Sequence, residues 1–332
     1  MFKPAAKNLI TDVAGLTVGH ATDETVRSGV TVLLCGEGFT TAVDVRGGGP
    51  GTRETEALSP ENLVGRAHAI VLSGGSVFGL GAADGVAASL SIQGTGLTLR
   101  PGSPAIPIVP AAVLHDLANG GDKDWQMEPP YRDLGILAAD SAQVDFAQGS
   151  VGAGRGALAG RHKGGIGSAS LDLGDGIIVG ALVALNSVGS PLMPDGETYW
   201  AWPFELNQEF GGRGAPQSPL DLSDPSPDQS RLMANGRLQA GANTTLAVVA
   251  CNADLSNVEC KRVAMMAQDG IARGVRPAHT PFDGDTIFAL ASGAAPLGGT
   301  LTRAAHIARI GSAAADCLTR AIGRAVHHSA SS

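Results

Sequence analysis

The most informative stretch for the fold is Gly241-Ala242-Asn243-Thr244-Thr245-Leu246-Ala247-Val248-Val249. Small and polar residues lead here directly into an apolar, β-branched run, which predicts a buried strand that begins at Thr244. The strand carries two hydroxyls at its start, on Thr244 and Thr245. Threonine is also a good strand former and asparagine a good turn residue, so the stretch taken alone equally fits a purely structural role.

The composition is that of a globular protein. The chain has 332 residues, of which 43% are hydrophobic and 16% charged, and this length allows either two ordinary domains or one large one. The 47 glycines, together with few aromatic residues, indicate backbone packed close to backbone. A net charge of −8 without a basic block argues against nucleic-acid binding, because phosphate contacts need clustered Lys and Arg.

The four cysteines, Cys35, Cys251, Cys260 and Cys317, show no CxxC spacing and no histidine pairing at zinc distances. We expect them to be reduced and mostly buried, in a cytoplasmic protein. No apolar segment typical of a secretory signal opens the chain, and no apolar run of 18 residues is present to span a membrane. No metal or other cofactor is expected, because no cluster of metal ligands appears.

The composition changes over residues 203–236, where Pro, Ser, Asp, Gly and Gln dominate and apolar periodicity is lost. This predicts a flexible linker over about residues 203–240. It ends shortly before Asn243 and Thr244. A flexible segment would suit a chain that is cut at this point, and without a cut it is a long loop, which is uncommon unless functional.

Glycine-rich tracts occupy residues 46–55, 73–80 and 149–170. The first follows a predicted strand and could cradle phosphate, but it lacks P-loop and dinucleotide spacing, so a tight, shielded loop is predicted. The second predicts a strand, a glycine turn and a helix over residues 77–91. Such a turn either aims backbone N–H groups at one point or is a plain β–α connection.

Two carboxylates, Asp283 and Asp285, lie just before a predicted strand at residues 286–291. Residues i and i+2 of a strand share a face, so both could point at one site. There each would shift the other's pKa, which suits proton handling. The alternative is an Asp-Gly turn with solvated carboxylates.

Taken together, these features resemble the DmpA-type family of N-terminal-nucleophile hydrolases, which contains aminopeptidases, β-aminopeptidases and nylon-oligomer hydrolases. The most specific part of the resemblance is residues 279–288 together with Asn243-Thr244-Thr245, and further matching stretches cover residues 8–20, 46–54, 72–80, 149–170 and 241–245. The resemblance implies an α/β fold, the αββα four-layer sandwich of the DmpA/ornithine-acetyltransferase type. Two sheets would lie face to face with helices outside.

The resemblance also implies one self-processing hydrolase domain over residues 1–332. The cut would fall between Asn243 and Thr244, leaving an α chain of residues 1–243 and a β chain of residues 244–332. The freed α-amino group of Thr244, with a reference pKa of about 8, would accept the proton of the Thr244 hydroxyl. Thr245 faces away from Thr244 in a strand, so only one can be the nucleophile, and Thr244 directly follows Asn243.

Four further residues match site positions of the family. Asp283 and Asp285 match the acidic positions that orient the nucleophile and its amine. Asn186 matches an oxyanion-hole donor. Lys163 matches a lysine whose charge could keep the amine neutral and stabilise the developing anion.

The resemblance places the substrate pocket around Gly75, Ser76 and Phe78. The nylon-oligomer hydrolases carry a tyrosine where this chain has Phe78, and some β-aminopeptidases use a serine nucleophile with Ser and Glu in place of Asp283 and Asp285. Amide hydrolysis of small peptides or amino-acid amides is therefore expected, and a nylon-oligomer-type (6-aminohexanoate) endo-amidase is the first alternative.

Two more functions stay open: an ornithine-acetyltransferase-like acyltransferase and an uncleaved, non-catalytic homologue. The Ala-Thr-Met-Leu stretch that marks the cut in the acyltransferases is absent from this sequence. Family members assemble from αβ units, so the resemblance implies a homotetramer or larger assembly. The expected partners are a small amide or peptide substrate and the processed chain itself, with no nucleic acid and no membrane.

Overall fold

The computed structural model describes residues 3–232 and 243–330. Its strands are β1 Thr17–Asp23, β2 Ser28–Val45, β3 Thr52–Arg53, β4 Arg66–Ser73, β5 Ala111–Val113, β6 Leu158–Ala159, β7 His162–Lys163, β8 Gly165–Asp172, β9 Ile178–Asn186, β10 Thr244–Ala253 and β11 Thr286–Ala295. Its α-helices are α1 Ala82–Ile92, α2 Tyr131–Asp140, α3 Asn257–Gly274 and α4 Arg303–Ala330. The strand predicted to begin at Thr244 is thus β10.

Strand β2 joins two sheets. Its first part pairs with β1 and β4, and its last part pairs with β11. A register shift between Leu34 and Phe39 separates the two parts. Along the hydrogen-bonded path the strands follow the order β3-β5-β4-β2-β11-β10-β9-β8, with β1 added on β2. The second sheet is formed by the last part of β2 with β11, β10, β9 and β8. Strand β10 lies inside it, antiparallel to β9 and parallel to β11.

Three apolar cores separate the layers. Alternate residues of β10 face opposite ways, as the period of a strand requires. Ala247 and Val249 belong to the core under α3 and α4, whereas Leu246 and Val248 belong to the core that also holds Leu72 of β4. A third core packs α1 and α2 on the outer face of β1, β2 and β4. The order helices, sheet, sheet, helices confirms the predicted αββα sandwich.

Glycine allows strand β8 to lie against helix α4. A Cβ on Gly167 would stand 2.0 Å from the carbonyl oxygen of Ala321, closer than atoms can pack. The second sheet and its covering helix can therefore approach backbone to backbone only with glycine here. A capping box begins α3, where the Glu259 carboxylate accepts the Ser256 N–H at 2.8 Å.

The helix predicted over residues 77–91 begins later than expected. A 3-10 helix covers Ser76–Gly81, and the α-helix α1 starts only at Ala82. Gly79 and Gly81 fall in the first segment, and glycine is a poor helix former, which explains the delay.

The predicted linker is packed where it begins. Phe210 is fully buried beside Gly323 of α4, and the Glu209 carboxylate forms an ion pair with Arg320, with Oε1 2.6 Å from Nε. An apolar anchor in otherwise polar sequence therefore holds this part of the segment on the core. Residues 233–240 of the predicted linker, and Gly241 and Ala242 after them, lie outside the described residues. Among the described helices, none has the length and apolar character needed to cross a membrane.

Candidate active site

Thr244 begins β10 in a buried position. The residue is 1% exposed, and its hydroxyl donates a hydrogen bond to the carbonyl oxygen of the preceding residue, Asn243, at 2.5 Å. The hydroxyl therefore lies against the carbonyl group that a self-cleaving threonine attacks.

The same carbonyl oxygen has a second donor. The backbone N–H of Gly284 donates to the Asn243 oxygen at 2.8 Å, because Asn243 and Asp283 pair as a short parallel bridge. A Cβ at Gly284 would stand 2.7 Å from the Thr244 hydroxyl oxygen, so any larger residue here would press on the hydroxyl. Asn243, Thr244 and Gly284 are called the junction below.

Asp285 binds the backbone at the start of β10, one residue after Thr244. Its carboxylate is 1% exposed and accepts the backbone N–H of Thr245 at 2.8 Å. Its second oxygen accepts both the backbone N–H and the Nδ1 group of His279, at 3.1 and 2.7 Å. His279 reaches this position with a left-handed backbone, φ +55°. Three donors thus fix the orientation of the Asp285 carboxylate.

Asp283 is tied to the segment just after β9 rather than to β10. Its carboxylate accepts the backbone N–H of Val188 at 3.1 Å and the N–H and hydroxyl of Thr280 at 3.0 and 2.6 Å. Burial, followed by the nearby charge of Asp285, raises the pKa of Asp283 to about 6. The two carboxylates are therefore buried groups in one site and not solvated turn residues.

Asn186 ends β9 directly opposite Thr244 in the strand register. Its side chain makes two hydrogen bonds: Oδ1 accepts the Leu158 N–H at 3.0 Å, and Nδ2 donates to the His115 carbonyl at 3.1 Å. Lys163 pairs with Leu158 in the short hairpin of β6 and β7. Leu158 thus connects Asn186 and Lys163, the two residues expected to stabilise negative charge.

The residues expected to line the substrate pocket lie at the end of β4, in the other sheet. The N–H of Gly75 donates to Asp116 Oδ1 at 2.8 Å, and the N–H of Ser76 donates to the Leu114 carbonyl at 3.0 Å. Both N–H groups of this turn are therefore used in hydrogen bonds within the fold. Phe78 is 44% exposed and packs edge-on against Trp125, with ring centroids 5.4 Å apart.

The glycine tract after β2 supports the acidic turn, a role that its sequence did not indicate. The N–H of Gly49 donates to the Asp283 carbonyl at 2.8 Å, and that of Arg46 to the Asp285 carbonyl at 3.0 Å. A Cβ at Gly47 would lie 2.3 Å from the Asp285 nitrogen. The loop is tight and shielded, as predicted, and it fixes the backbone that carries both carboxylates.

Arg231 is another residue that the sequence did not single out. Its Nη2 group donates to the carbonyl oxygens of Leu158, Asn186 and Ser187 at 3.0, 3.3 and 3.0 Å. Burial lowers its pKa to about 10. The guanidinium ties the end of β9 to the hairpin that carries Lys163. An isolated arginine in polar sequence gives no signal of this role.

His279, Thr280 and Gly284 were also missed as site residues. The only available signal was their place in the segment His279-Thr280-Pro281-Phe282-Asp283-Gly284-Asp285, whose turn chemistry predicts side-chain-to-backbone hydrogen bonds. Within residues 3–232 and 243–330, no group of three or more His, Cys, Asp or Glu side chains is arranged to hold a metal ion.

Comparison with known proteins identifies the class. The profile of "Peptidase family S58" matches residues 8–332. The chain is 43% identical over 334 residues to an uncharacterized aminopeptidase of Mycobacterium tuberculosis, covering 95% of this chain and 92% of the relative. It is 32% identical to a 6-aminohexanoate-oligomer endohydrolase of a Kocuria species, covering 84% of this chain and 73% of the relative.

Solved structures show the same fold. A β-aminopeptidase from a Burkholderia species superimposes with a TM-score of 0.71 at 24% identity, covering 98% of this chain and 88% of that one. An L-aminopeptidase D-Ala-esterase/amidase from Ochrobactrum anthropi, described as a variant of the Ntn hydrolase fold, gives 0.66 at 22% identity, covering 97% and 86%. The chain therefore belongs to peptidase family S58. It is a hydrolase of peptide or amide bonds, of the aminopeptidase and amidase type.

Proposed function

We propose that the chain cuts itself between Asn243 and Thr244 and then uses Thr244 as the nucleophile of an aminopeptidase or amidase. The observation that carries this proposal is the geometry of the junction. One carbonyl oxygen, that of Asn243, accepts the Thr244 hydroxyl at 2.5 Å and the Gly284 N–H at 2.8 Å. A nucleophile and an oxyanion donor thus meet at the bond to be cut.

The self-cleavage step follows from these contacts. The Thr244 hydroxyl oxygen bonds to the Asn243 carbonyl carbon, and the Gly284 N–H stabilises the negative charge that develops on the carbonyl oxygen. The C–N bond then breaks, and the proton lost by the hydroxyl is balanced by one gained at the leaving nitrogen. Water hydrolyses the resulting ester, which leaves a carboxylate on Asn243 and a free amine and hydroxyl on Thr244.

The cut supplies the base of the mature enzyme. A hydroxyl is a poor nucleophile at neutral pH and needs an adjacent base. The new α-amino group of Thr244, with a reference pKa of about 8, accepts the hydroxyl proton when an amide substrate is attacked. We assign Asp285 and Asp283 to orienting this end of β10, and Asn186 and Lys163 to stabilising the oxyanion.

We further propose that both fragments, residues 1–243 and 244–332, stay together as one αβ unit. Strand β10 lies between β9 of the first fragment and β11 of the second, and its apolar side chains are buried on both faces. Assembly of these units into a homotetramer or larger, and a cytoplasmic location, are part of the same proposal. The four free, buried cysteines support a reducing compartment.

The substrate class is small peptides or amino-acid amides. A second candidate is the endo-hydrolysis of 6-aminohexanoate oligomers, because the relative at 32% identity carries that name. The exposed ring of Phe78 is the residue we assign to this choice, with Gly75 and Ser76 beside it.

A substrate panel tests the proposed function. Purified wild type, Thr244→Ala and Thr245→Val are offered alanine amide, alanyl-alanine amide and 6-aminohexanoate dimer, and the released amine is quantified. We expect wild type and Thr245→Val to hydrolyse the alanyl substrates and Thr244→Ala to lose about 10⁴-fold or more in rate. Equal hydrolysis by Thr244→Ala would overturn the assignment, and transfer of acetyl groups to ornithine without hydrolysis would favour an acyltransferase.

A further inference from the structure

A cavity of about 300 Å³ opens beside the site, and it is rich in positive charge. Arg27, Arg155 and Lys163 line it, together with Asn119 and Leu158. We call this space the Arg27 cavity. Its size suits a small group such as one end of a dipeptide, and its lining would repel an ammonium group.

Leu158 links the Arg27 cavity to the strand pair that carries Thr244. Leu158 lines it and donates its backbone N–H to Asn186 Oδ1 at 3.0 Å, and Asn186 is the strand partner of Thr244. One residue therefore separates the cavity wall from the strand pair that carries Thr244. A substrate bound at Thr244 could extend one end into the cavity.

The positive charge of the Arg27 cavity is only partly balanced. Glu24 neutralises Arg155, with hydrogen bonds of 2.9 Å from Nε and 2.6 Å from Nη2. Within the described residues, no ion pair closer than 4 Å includes Arg27, although, after the hydrogen bond from Arg155, the charge of Arg27 also helps to lower the pKa of Glu24. Asp116 lies behind Gly156 in the wall, and burial raises the pKa of its carboxyl group. An anion in the cavity would lie next to the guanidinium of Arg27.

Arg27 is placed with backbone strain. Its φ is +54°, in the left-handed region where glycine or asparagine is favoured. Two side chains from one loop hold its turn: Asn119 donates to the Arg27 carbonyl oxygen and Lys123 to that of Val26. The backbone of Arg27 is therefore anchored to the loop that carries Asn119 and Lys123.

We propose that the Arg27 cavity binds a carboxylate of the substrate, so that the enzyme prefers amides and peptides that carry a free carboxylate group. Arginine recognises carboxylates through two parallel N–H groups, which gives both charge and geometry. Asn119 lines the same wall, where its side-chain amide holds the Arg27 turn. The assignment rests on the proposed function, because it names the substrate of that site.

Matched substrates test the preference. Alanyl-alanine and its C-terminal amide differ only in the carboxylate, and kcat/KM is measured for both with wild type, Arg27→Gln and Arg27→Lys. We expect the ratio of acid to amide to fall about tenfold in Arg27→Gln and to recover partly in Arg27→Lys. Arg132→Gln is the control, because Arg132 lies on α2 with a side chain that is 56% exposed. An unchanged ratio in Arg27→Gln would overturn the proposal.

A binding measurement keeps this test separate from catalysis. In the Thr244→Ala chain, N-acetylalanine and N-acetylalanine amide are titrated and followed by NMR, with and without Arg27→Gln. We expect the acid to bind about tenfold more tightly than the amide, and Arg27→Gln to remove the difference. Equal binding would contradict the proposal even if the wild type is active. A preference for the acid, found together with a wild type that neither cuts itself nor hydrolyses amides, would retain the subsite and refute the proposed function.

Inorganic phosphate is the third probe of the titration. A substrate carboxylate site should bind phosphate no more tightly than N-acetylalanine, and the two should compete. Tighter binding of phosphate without inhibition of hydrolysis would mean that the cavity serves a free anion, and the assignment to substrate would be wrong.

Discussion

The junction and the Arg27 cavity differ in burial and in the kind of polar groups they use, although Asn186 and Leu158 connect them. The junction is buried, uses backbone groups as donors, and is braced by hydrogen-bonded carboxylates. The cavity is open and lined by long cationic side chains, one of which is held in a strained turn. We infer that the buried and rigid junction determines reactivity. The solvent-exposed charges of the Arg27 cavity determine which substrate is preferred.

Removal of the nucleophile should have the largest effect on the junction. Thr244→Ala should abolish both self-cleavage and amide hydrolysis, a loss of about 10⁴-fold or more. Binding of N-acetylalanine to the cavity should persist, because the substitution removes no cavity residue. Thr245→Val is the matched control, since the Thr245 hydroxyl is buried without a hydrogen-bond partner in the described structure. Loss of self-cleavage in Thr245→Val as well would remove the distinction between the two threonines.

Crowding the junction should have the next largest effect. In Gly284→Ala, the new Cβ would stand 2.7 Å from the Thr244 hydroxyl oxygen, so the hydroxyl or the Gly284 N–H must move. We expect self-cleavage to slow by about 10²–10³-fold, comparable to loss of an oxyanion donor. Gly81→Ala is the control, because a Cβ there meets nothing within 4 Å. A time course of fragment appearance on denaturing gels measures the rates, and similar rates in both variants would contradict the role given to Gly284.

The protonation of Asp283 should appear in the pH dependence of stability. Its folded pKa is raised to about 6, so the folded chain holds a proton that the unfolded chain releases. The stabilisation is complete below pH ~4 and is lost as the pH rises through ~6, a change of up to about 3 kcal/mol. Urea unfolding at pH 4 and pH 7, in the uncut Thr244→Ala background, measures this free energy.

Asp283→Asn provides the comparison for that measurement. The side chain of this variant is neutral at every pH, so the variant should not lose the stabilisation that the parent loses between pH 4 and pH 7. The difference in free energy of unfolding, variant minus parent, should therefore rise over this range. Parallel pH dependences of the two chains would show that Asp283 is ionised over this whole range.

The smallest effect is expected at His279. Its Nδ1 group donates to Asp285 at 2.7 Å, and the backbone N–H of the same residue provides a second bond that a substitution leaves in place. His279→Asn suits the left-handed backbone and should lower kcat by about tenfold with little change in KM. A rise in KM with constant kcat would instead place His279 in substrate binding.

Much of the architecture could be predicted because local patterns and long elements agree. The apolar run after Thr244 and the strand predicted at residues 286–291 both appear where expected, as β10 and β11. Strand β2 could not be predicted as the joint of two sheets, because a register shift within a long strand depends on its partners. Helix α1 begins later than predicted because Gly79 and Gly81 disfavour a helix, and the apolar pattern used for the prediction does not take this cost into account.

The site was predictable only where its residues share a segment. Asn243 and Thr244, and likewise Asp283 and Asp285, are neighbours in sequence, so a motif can bring them to attention. The contact between Asn243 and Gly284 depends on strand pairing across 40 intervening residues. The Arg27 cavity combines residues 27, 119, 155 and 163, of which only Lys163 was assigned a role from the sequence.

The most direct test is the intact mass of the purified chain under denaturing conditions, followed over time for wild type and Thr244→Ala. Self-cleavage at the junction predicts two wild-type fragments whose masses meet at the bond between Asn243 and Thr244, and one full-length species for the variant. A wild-type chain that stays whole while it hydrolyses amides, or a variant cut at the same bond, would contradict Thr244 as the self-activating nucleophile.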